Sequence, residues 1–385
     1  MAIVNYTPLE SGDLDSDDPD VLCDSLQEKY VWAQAMADCP QDPRWHGEGD
    51  VMAHNKMVFE KLFDQDDYSG LQDHEKIILK AAVILHDVAK PSLTREVEGG
   101  LTSKGHAQGG LKIARMILSG AMPSEHREIV ARMVRHHMFP VFFLERDILE
   151  FEIIRMSYQC SNKLLCMLAL ADTTGRITAF PTDSVDSVKL FRETCQKMGC
   201  YEDRYPFENN HGRVLYFKHP ERYDPRYPNY DSTEFEVTIM CGPPGSGKDS
   251  WIASETDRPT VSLDDIRRQQ GKSATDNQGS VIAAGTEAMK VLLRAKTPFV
   301  FNATNTILST RSQWAQMCMK YGASIRIVFV NPSLETLIFR NKEYNRGIPD
   351  EVIRRLFWKT DAPTLVECHN LVCPPCEDLA TLRQL

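Results

Sequence analysis

The sequence predicts a two-domain protein, with a mostly α-helical domain followed by an α/β domain built on a parallel sheet. Three observations carry this. The 385 residues exceed one ordinary domain of roughly 150 residues. Apolar residues in the first half recur at helical spacing. The second half alternates β-rich runs with polar or helical stretches. The 42% hydrophobic and 25% charged fractions leave enough apolar surface for two cores. No run approaches the about 18 apolar residues of a membrane helix. The N-terminal MAIVNYTPLE lacks a basic region followed by an apolar stretch, so a secretory signal is not expected. Eleven cysteines, an odd number without framework spacing, read as reduced thiols in a cytoplasm.

The net charge of −10 is unevenly spread. Residues 235–385 hold 18 Lys and Arg against 16 Asp and Glu, so the acidity lies upstream. Seven acids (Glu10, Asp13, Asp15, Asp17, Asp18, Asp20, Asp24) and no basic residue fall in residues 1–24. That segment reads as a solvated, disordered leader. The acidic total argues against broad nonspecific DNA coating and leaves room for a local basic groove.

Residues 25–200 are the expected helical domain. In DHEKIILKAAVILHDVAK, Ile77, Ala81, Leu85 and Val88 share a helical face, and Pro91 is expected to stop that helix. Leu164, Leu168 and Ala171 mark another helix, with Gly175 as its terminator. Residues 201–234 carry Pro206, Pro220, Pro225 and Pro228 and no helical period, and read as a linker with a short strand at 214–217. Tyrosines and arginines interleave there (Tyr205, Arg213, Tyr216, Arg222, Tyr223, Arg226, Tyr227), a pattern able to stack on a nucleic-acid strand. Nearby acids almost cancel the charge, and packing on a domain surface is the favoured reading. From residue 235 the expected strands are FEVTIMC, RPTVSL, TPFVFN and SIRIVFV.

Four stretches of the helical domain carry chemistry: HGEGDVMAH (His46 to His54), LHDVAKP (Leu85 to Pro91), GHAQG with RHH (His106; His136, His137) and LALADTTGR (Leu168 to Arg176). Imidazole and carboxylate donors suit a divalent transition metal. A metal held by His54, His86, Asp87 and Asp172 keeps open positions for water and substrate, and lowers the pKa of that water. His106 and His136 are candidates for a second metal or for hydrogen bonds to phosphate oxygens. His137 is the alternative to His136, because adjacent helical positions face about 100° apart. Lys90 is placed to neutralise a phosphoryl oxygen. A lone histidine on an apolar face is usually a core residue, but an ordered set of this kind is poorly explained that way. The set resembles the HD-domain metal phosphohydrolases in order and type: an isolated His, a His-Asp pair at a helix end, intervening His residues, then a distal Asp.

After FEVTIMC comes GPPGSGKDSWI, whose Gly242, Gly247 and Lys248 match the G-x-x-x-x-G-K core of a P-loop. Gly242, Gly245, Ser246 and Gly247 are the expected backbone cradle for phosphates, and Lys248 reaches the β- and γ-phosphates. Asp249 stands where a Ser or Thr usually binds Mg²⁺; it and the following Ser250 are counted with the nucleotide-binding residues, an aspartate being able to ligate Mg²⁺ directly or through water while adding negative charge beside the triphosphate. Asp264, after the second strand, is placed to accept a proton from an acceptor hydroxyl. Arg267, three residues on, is placed to clamp an acceptor phosphate. Arg340 and Arg346 flank a polar helical segment that reads as a lid, where arginines stabilise phosphoryl transfer; a solvated helix face explains them equally well. This half resembles the 5′-OH polynucleotide kinases of the P-loop phosphotransferase class. In that family the loop lysine, a base aspartate with an arginine three later, and lid arginines carry the reaction. Asn302 stands where relatives often place an aspartate. For Cys368, His369, Cys373 and Cys376 near the C-terminus, ordinary thiols are favoured over a zinc knuckle.

Taken together, the halves resemble the HD-Pnk family of nucleic-acid end-healing enzymes. The resemblance implies removal of 2′,3′-cyclic phosphate, 2′-phosphate or 3′-phosphate ends by an HD domain at residues 25–200. It also implies transfer of an NTP γ-phosphate to 5′-OH ends by a kinase domain at residues 235–385. The implied cofactors are a divalent transition metal (Mn, Co, Ni, Fe or Zn) in the first domain and Mg with ATP or another NTP in the second. The implied partners are RNA or DNA ends, with functional coupling to a ligase and no membrane. The competing reading is a nucleotide-metabolism enzyme that joins an HD nucleotidase to a small-molecule kinase.

Overall fold

Helical periodicity in the first half of the chain becomes a set of packed helices, as the computed structural model shows. It describes residues 6–10, 12–179, 183–273, 275–344 and 347–376. The chain separates into two units, Met1–Pro206 and Phe207–Leu385. The first unit runs α1 (Pro19–Lys29), α2 (Val31–Ala37), α3 (Val51–Phe63), α4 (Asp73–Leu85), α5 (Lys90–Leu93), the hairpin β1 (Arg95–Val97) and β2 (Gly100–Thr102), α6 (His106–Ile117), α7 (Ser124–His136), α8 (Phe139–Phe142), α9 (Leu149–Ser157), α10 (Asn162–Thr174) and α11 (Ser184–Lys197). Among the described residues no helix is long and apolar enough to cross a membrane.

Local chemistry explains where the site-bearing helices begin and end. Asp50 starts α3 by accepting hydrogen bonds from the Met52 and Ala53 N–H groups (2.8 and 2.9 Å). Gln72 and Glu75 form a capping box at the start of α4. That helix is buried along Ile78–Leu85 and ends at His86, five residues before the expected stop at Pro91. Pro91 instead sits in the first turn of α5, where a missing N–H is harmless. The α4 end therefore delivers His86 and Asp87 from a buried helix. Gly175 closes α10 as expected. It also lets that helix approach α3, since a Cβ there would lie 2.8 Å from Val58 Cα. This close approach brings Asp172 of α10 beside His54 of α3.

The acidic leader is corrected by its described part, residues 6–10 and 12–24. Leu9, Leu14 and Leu22 are buried, the Leu9 N–H donates to Ile117 O (2.8 Å), and Asp18 caps α1. The acids are matched by lysines distant in sequence: Asp17 with Lys80 (2.9 Å), Asp24 and Asp20 with Lys56 (2.8 and 3.0 Å), and Asp13 with Lys29 (2.7 Å). A charge count restricted to the segment misses those partners.

The second unit begins with a helix where a linker strand was expected. Residues 210–218 form α12 (Asn210–Lys218), capped by Asn209. Arg213 on it is buried and donates to the carbonyls of Leu365, Cys368 and His369 (2.8–3.0 Å). Tyr216 is buried too. Tyr227 and Tyr230 remain exposed. The unit continues β3 (Phe235–Cys241), α13 (Lys248–Glu255), β4 (Thr260–Ser262), α14 (Leu263–Gln269), α15 (Gly279–Arg294), β5 (Phe299–Asn302), α16 (Leu308–Met319), β6 (Ala323–Phe329), α17 (Leu334–Glu343), α18 (Asp350–Lys359) and β7 (Asn370–Val372).

The four expected strands and β7 form one sheet in the order β4-β5-β3-β6-β7. Every pairing is parallel. Alternate residues of β3 separate its two faces. Val237, Ile239 and Cys241 pack with Phe299, Phe301, Ile325 and Ile327. Met240 packs with Val300 and Val328 on the other side. Because the strands are parallel, the segments after β3, β4 and β5 leave one edge of the sheet, where ligands bind in open α/β sheets. At that edge lie the glycine-rich loop after β3, Asp264 in the first turn of α14 and Asn302 at the end of β5.

Candidate active sites

The first unit gathers the predicted ligands into one buried cluster. His54 Nε2 lies 3.1 Å from Asp172 Oδ1, and both residues are buried. His86 Nε2 lies 3.3 Å from Asp87 Oδ2, and His106 Nε2 lies 3.3 Å from Asp87 Oδ1. His54, His86 and Asp87 form one group of atoms spaced to hold a cation. Asp87, His106 and His137 form a second, so Asp87 belongs to both.

Ring tautomers follow from the other nitrogens. Nδ1 of His86 faces Val83 O (2.8 Å), Nδ1 of His106 faces Ser103 O (3.0 Å), and Nδ1 of His137 faces Val134 O (2.8 Å). A carbonyl only accepts, so each Nδ1 carries the proton and each Nε2 of the neutral ring carries a lone pair. The Nε2 atoms of His106 and His137 face each other at 3.3 Å. His86 Nε2 and Asp87 Oδ1 are buried without a hydrogen-bond partner. Lone pairs and carboxylate oxygens packed this way repel until a cation sits among them. The donor set of imidazoles and carboxylates suits a divalent transition metal.

His137, not His136, supplies the inward ring. His137 is 1% exposed, whereas His136 turns away and pairs its Nε2 with Gln159 Oε1 (3.0 Å). His137 sits at the C-cap of α7, one position around the helix from His136. Burial, with His106 and His86 alongside, pushes the His137 ring down to about 3. Burial would raise the Asp87 carboxyl, but the adjacent Lys90 ammonium outweighs it and holds it well below the usual carboxylate range. Asp172 is held down likewise, by Arg176, His54 and His86 against burial. Lys90 Nζ lies 2.6 Å from Asp87 Oδ2 and donates to Gln41 Oε1 (2.5 Å).

Glu48, His46 and Arg176 gain roles that spacing alone does not give them. Glu48 Oε1 lies 2.8 Å from His46 Nδ1 and 2.9 Å from His54 Nδ1. Its Oε2 accepts from the Ile177 N–H (2.9 Å). Arg176 donates to Asp172 Oδ1 (2.6 Å). The H-x-E spacing in HGEGDVMAH, on the turn before α3, was the available signal. The cluster opens on a cavity of about 610 Å³ lined by Lys90, Lys104, Arg176, His46, His106 and Trp45 among others. A basic wall of this kind favours a phosphate-bearing ligand.

In the second unit the loop from Gly242 to Lys248 joins β3 to α13. Gly242 must be glycine, because a Cβ there would lie 2.2 Å from Val330 O. Gly247 ends the loop with φ +105° as the N-cap of α13. Ser246 Oγ is buried with no hydrogen-bond partner. Lys248 Nζ donates to the carbonyls of Gly242 and Pro243 (3.0 and 3.1 Å), folding back over the loop. Arg340 of α17 donates to Ser246 O (3.0 Å), which places one of the two expected arginines at the loop. Arg346 lies outside the described residues. Asp249 Oδ1 accepts from Asn302 Nδ2 (2.7 Å), and Ser250 is exposed. Asp264 is ion-paired with Arg267 on the face of α14, and Arg267 Nε also donates to Gln278 Oε1 (2.7 Å). His369 is engaged by Ile325 N–H (2.9 Å) and His211 (3.1 Å), while Cys368 is buried in the core.

Residues 237–357 match the family model described as an AAA domain, AAA_33. Among solved structures, a protein described as a candidate kinase from Chloroflexus aurantiacus j-10-fl is 13% identical. The alignment covers 41% of this chain and 91% of that one, with a TM-score of 0.33. The family match, the loop and the parallel sheet make the C-terminal unit an α/β P-loop domain.

Proposed function

We propose that the chain is a bifunctional nucleic-acid end-healing enzyme. The first unit acts as an HD-type metal phosphohydrolase on 2′,3′-cyclic phosphate, 2′-phosphate or 3′-phosphate ends. The second acts as an NTP-dependent 5′-OH polynucleotide kinase. The observation that carries the first assignment is the convergence of His86, His106 and His137 lone pairs on Asp87, beside a basic cavity. The P-loop and its family match carry the second.

His54, His86, Asp87 and Asp172 would hold one divalent metal, and Asp87, His106 and His137 a second. Bound metal supplies a water of lowered pKa and a positive charge for phosphate oxygens. Lys90 and Arg176, paired with Asp87 and Asp172, orient the substrate phosphate. Lys104, on the cavity wall, adds to the field that draws the phosphate in. In the kinase, Lys248 leaves the Gly242 and Pro243 carbonyls for the β- and γ-phosphates. Asp264 accepts the proton of the attacking 5′-hydroxyl. Arg267 grips the phosphate 3′ of it, and Arg340, seated on the loop, faces developing charge on the transferred group. The products, a 3′-OH and a 5′-phosphate, are the ends a ligase consumes.

The test offers 5′-OH and cyclic-phosphate-ended oligonucleotides beside mononucleotides, with Mg²⁺, Mn²⁺, Co²⁺ and Ni²⁺. Asp87→Ala should abolish phosphate removal and spare the kinase, and Lys248→Ala should do the reverse. Turnover of mononucleotides with oligonucleotide ends ignored would replace this reading with nucleotide metabolism.

A further inference from the structure

In P-loop enzymes the nucleotide's Mg²⁺ is commonly held by a hydroxyl following the loop lysine and by a carboxylate from a neighbouring strand. This chain has neither in its usual place. The position after Lys248 is Asp249, and the end of β5 carries Asn302. The two side chains meet, with Asn302 Nδ2 donating to Asp249 Oδ1 at 2.7 Å. Asn302 is 8% exposed, and its Oδ1 has no hydrogen-bond partner. A buried acceptor left unmatched is costly and calls for an explanation.

We infer that Asp249 and Asn302 together bind the divalent cation of the bound nucleoside triphosphate, with the carboxylate moved from the strand to the helix and the neutral ligand moved from the helix to the strand. The inference rests on the reading that this loop binds an NTP. The pair offers oxygen donors and one negative charge, the same charge as a hydroxyl and an aspartate in the common arrangement. Magnesium is a hard cation that takes oxygen ligands. The Asn302 amide spends its N–H on Asp249, which fixes the carboxylate and leaves Asn302 Oδ1 as the remaining acceptor. Asp249 also lies in the first turn of α13, where an acid is favoured by the helix dipole. That role alone leaves the buried Asn302 Oδ1 unexplained.

Charge gives the test its sign. Without metal, Asp249 repels the triphosphate; with metal, it attracts the complex. The experiment is equilibrium binding of a fluorescent ATP or GTP analogue to the full chain, in EDTA and in Mg²⁺. Wild type should bind about tenfold or more tighter with Mg²⁺. Asp249→Ala should bind tighter than wild type in EDTA and gain little from Mg²⁺. Asn302→Ala should also lose most of the Mg²⁺ gain, and Ser250→Ala should keep it. The double variant Asp249→Ser with Asn302→Asp, which restores the common arrangement, should recover the gain and excludes misfolding as the cause of its loss. An unchanged Mg²⁺ gain in Asp249→Ala, or a gain lost only in Ser250→Ala, would overturn the inference. Failure of wild type to bind any nucleotide would instead overturn the kinase reading.

Discussion

Gly175 packs against Val58 so closely that a Cβ on it would sit 2.8 Å from Val58 Cα and 2.9 Å from Val58 N. Backbone cannot yield as a flexible side chain can, so Gly175→Ala should push α10 away from α3. Overpacking of this kind costs about 1–3 kcal/mol. The displacement also separates Asp172 from His54. Metal content of the purified variant should fall along with phosphohydrolase activity, and kinase activity should persist. Full metal content at wild-type Tm would show that the close approach does not set the ligand geometry.

Glu128 on α7 is enclosed by arginines. Arg115 donates to it through Nε and Nη2 (2.8–2.9 Å), and Arg127 Nε lies 3.3 Å away. All three residues are buried. Burial would raise the carboxyl, but Arg115 and Arg127 outweigh it and lower it below the ordinary value. Its stabilisation is therefore complete above the unfolded value of about 4.3 and is lost as pH falls through the lower folded value. Glu128→Gln leaves two buried guanidinium groups without their anion and should cost about 3–5 kcal/mol near neutral pH. Urea titrations from pH 7 to pH 3 should show the gap between wild type and variant narrowing at the acid end. A gap that widens instead would mean the carboxyl is not held ionised.

The two adjacent histidines of α7 separate cleanly. His137→Ala should remove a ligand from the group it shares with Asp87 and His106, and lower both metal content and phosphate removal. His136→Ala removes a contact to Gln159, away from the ligand group, and should keep both. Metal analysis and rate assays on the two variants, side by side, decide it; equal losses would contradict the assignment of the inward ring.

Asp264 and Arg267 are bonded to each other, so each holds the other's side chain in place. Asp264→Ala should collapse kcat if it removes the proposed proton acceptor. Arg267→Ala should lower kcat/KM for oligonucleotide by roughly ten- to a hundred-fold, the value of a hydrogen bond to a charged group. Wild type should prefer a nucleoside 3′-phosphate to the plain nucleoside as acceptor, and Arg267→Ala should lose most of that preference. Equal use of both acceptors by wild type would argue for a small-molecule kinase.

Much of this was legible in the residues. The four strands announced themselves as β-rich runs, and the loop by its glycine spacing, because both signals are local. His54, His86, Asp87 and Asp172 were legible as a set through the order and type of the residues, with His86, Asp87 and Asp172 at recognisable helix ends. The choice between His136 and His137 was not, since it depends on the phase at which α7 ends. Asn302 stood out only as a departure from the aspartate that relatives often place there, and its bond to Asp249, 53 residues away, has no local signal. The leader misread as mobile for the same reason: Lys56 and Lys80, which neutralise it, are distant in sequence. The helix at 210–218 was hidden by flanking prolines, and its burial rests on carbonyls near Cys368 that no local pattern reveals.

Lys248 is already hydrogen-bonded to two carbonyls of its own loop. A ligand must replace those bonds before it gains anything from the ammonium group, so only the difference between the two sets favours binding. A small anion with few additional contacts gains little from the exchange. A polyphosphate that also engages the loop amides and the helix end gains on several fronts at once. The folded-back lysine thus works as an affinity threshold, one that discriminates against a lone inorganic phosphate and in favour of a polyphosphate.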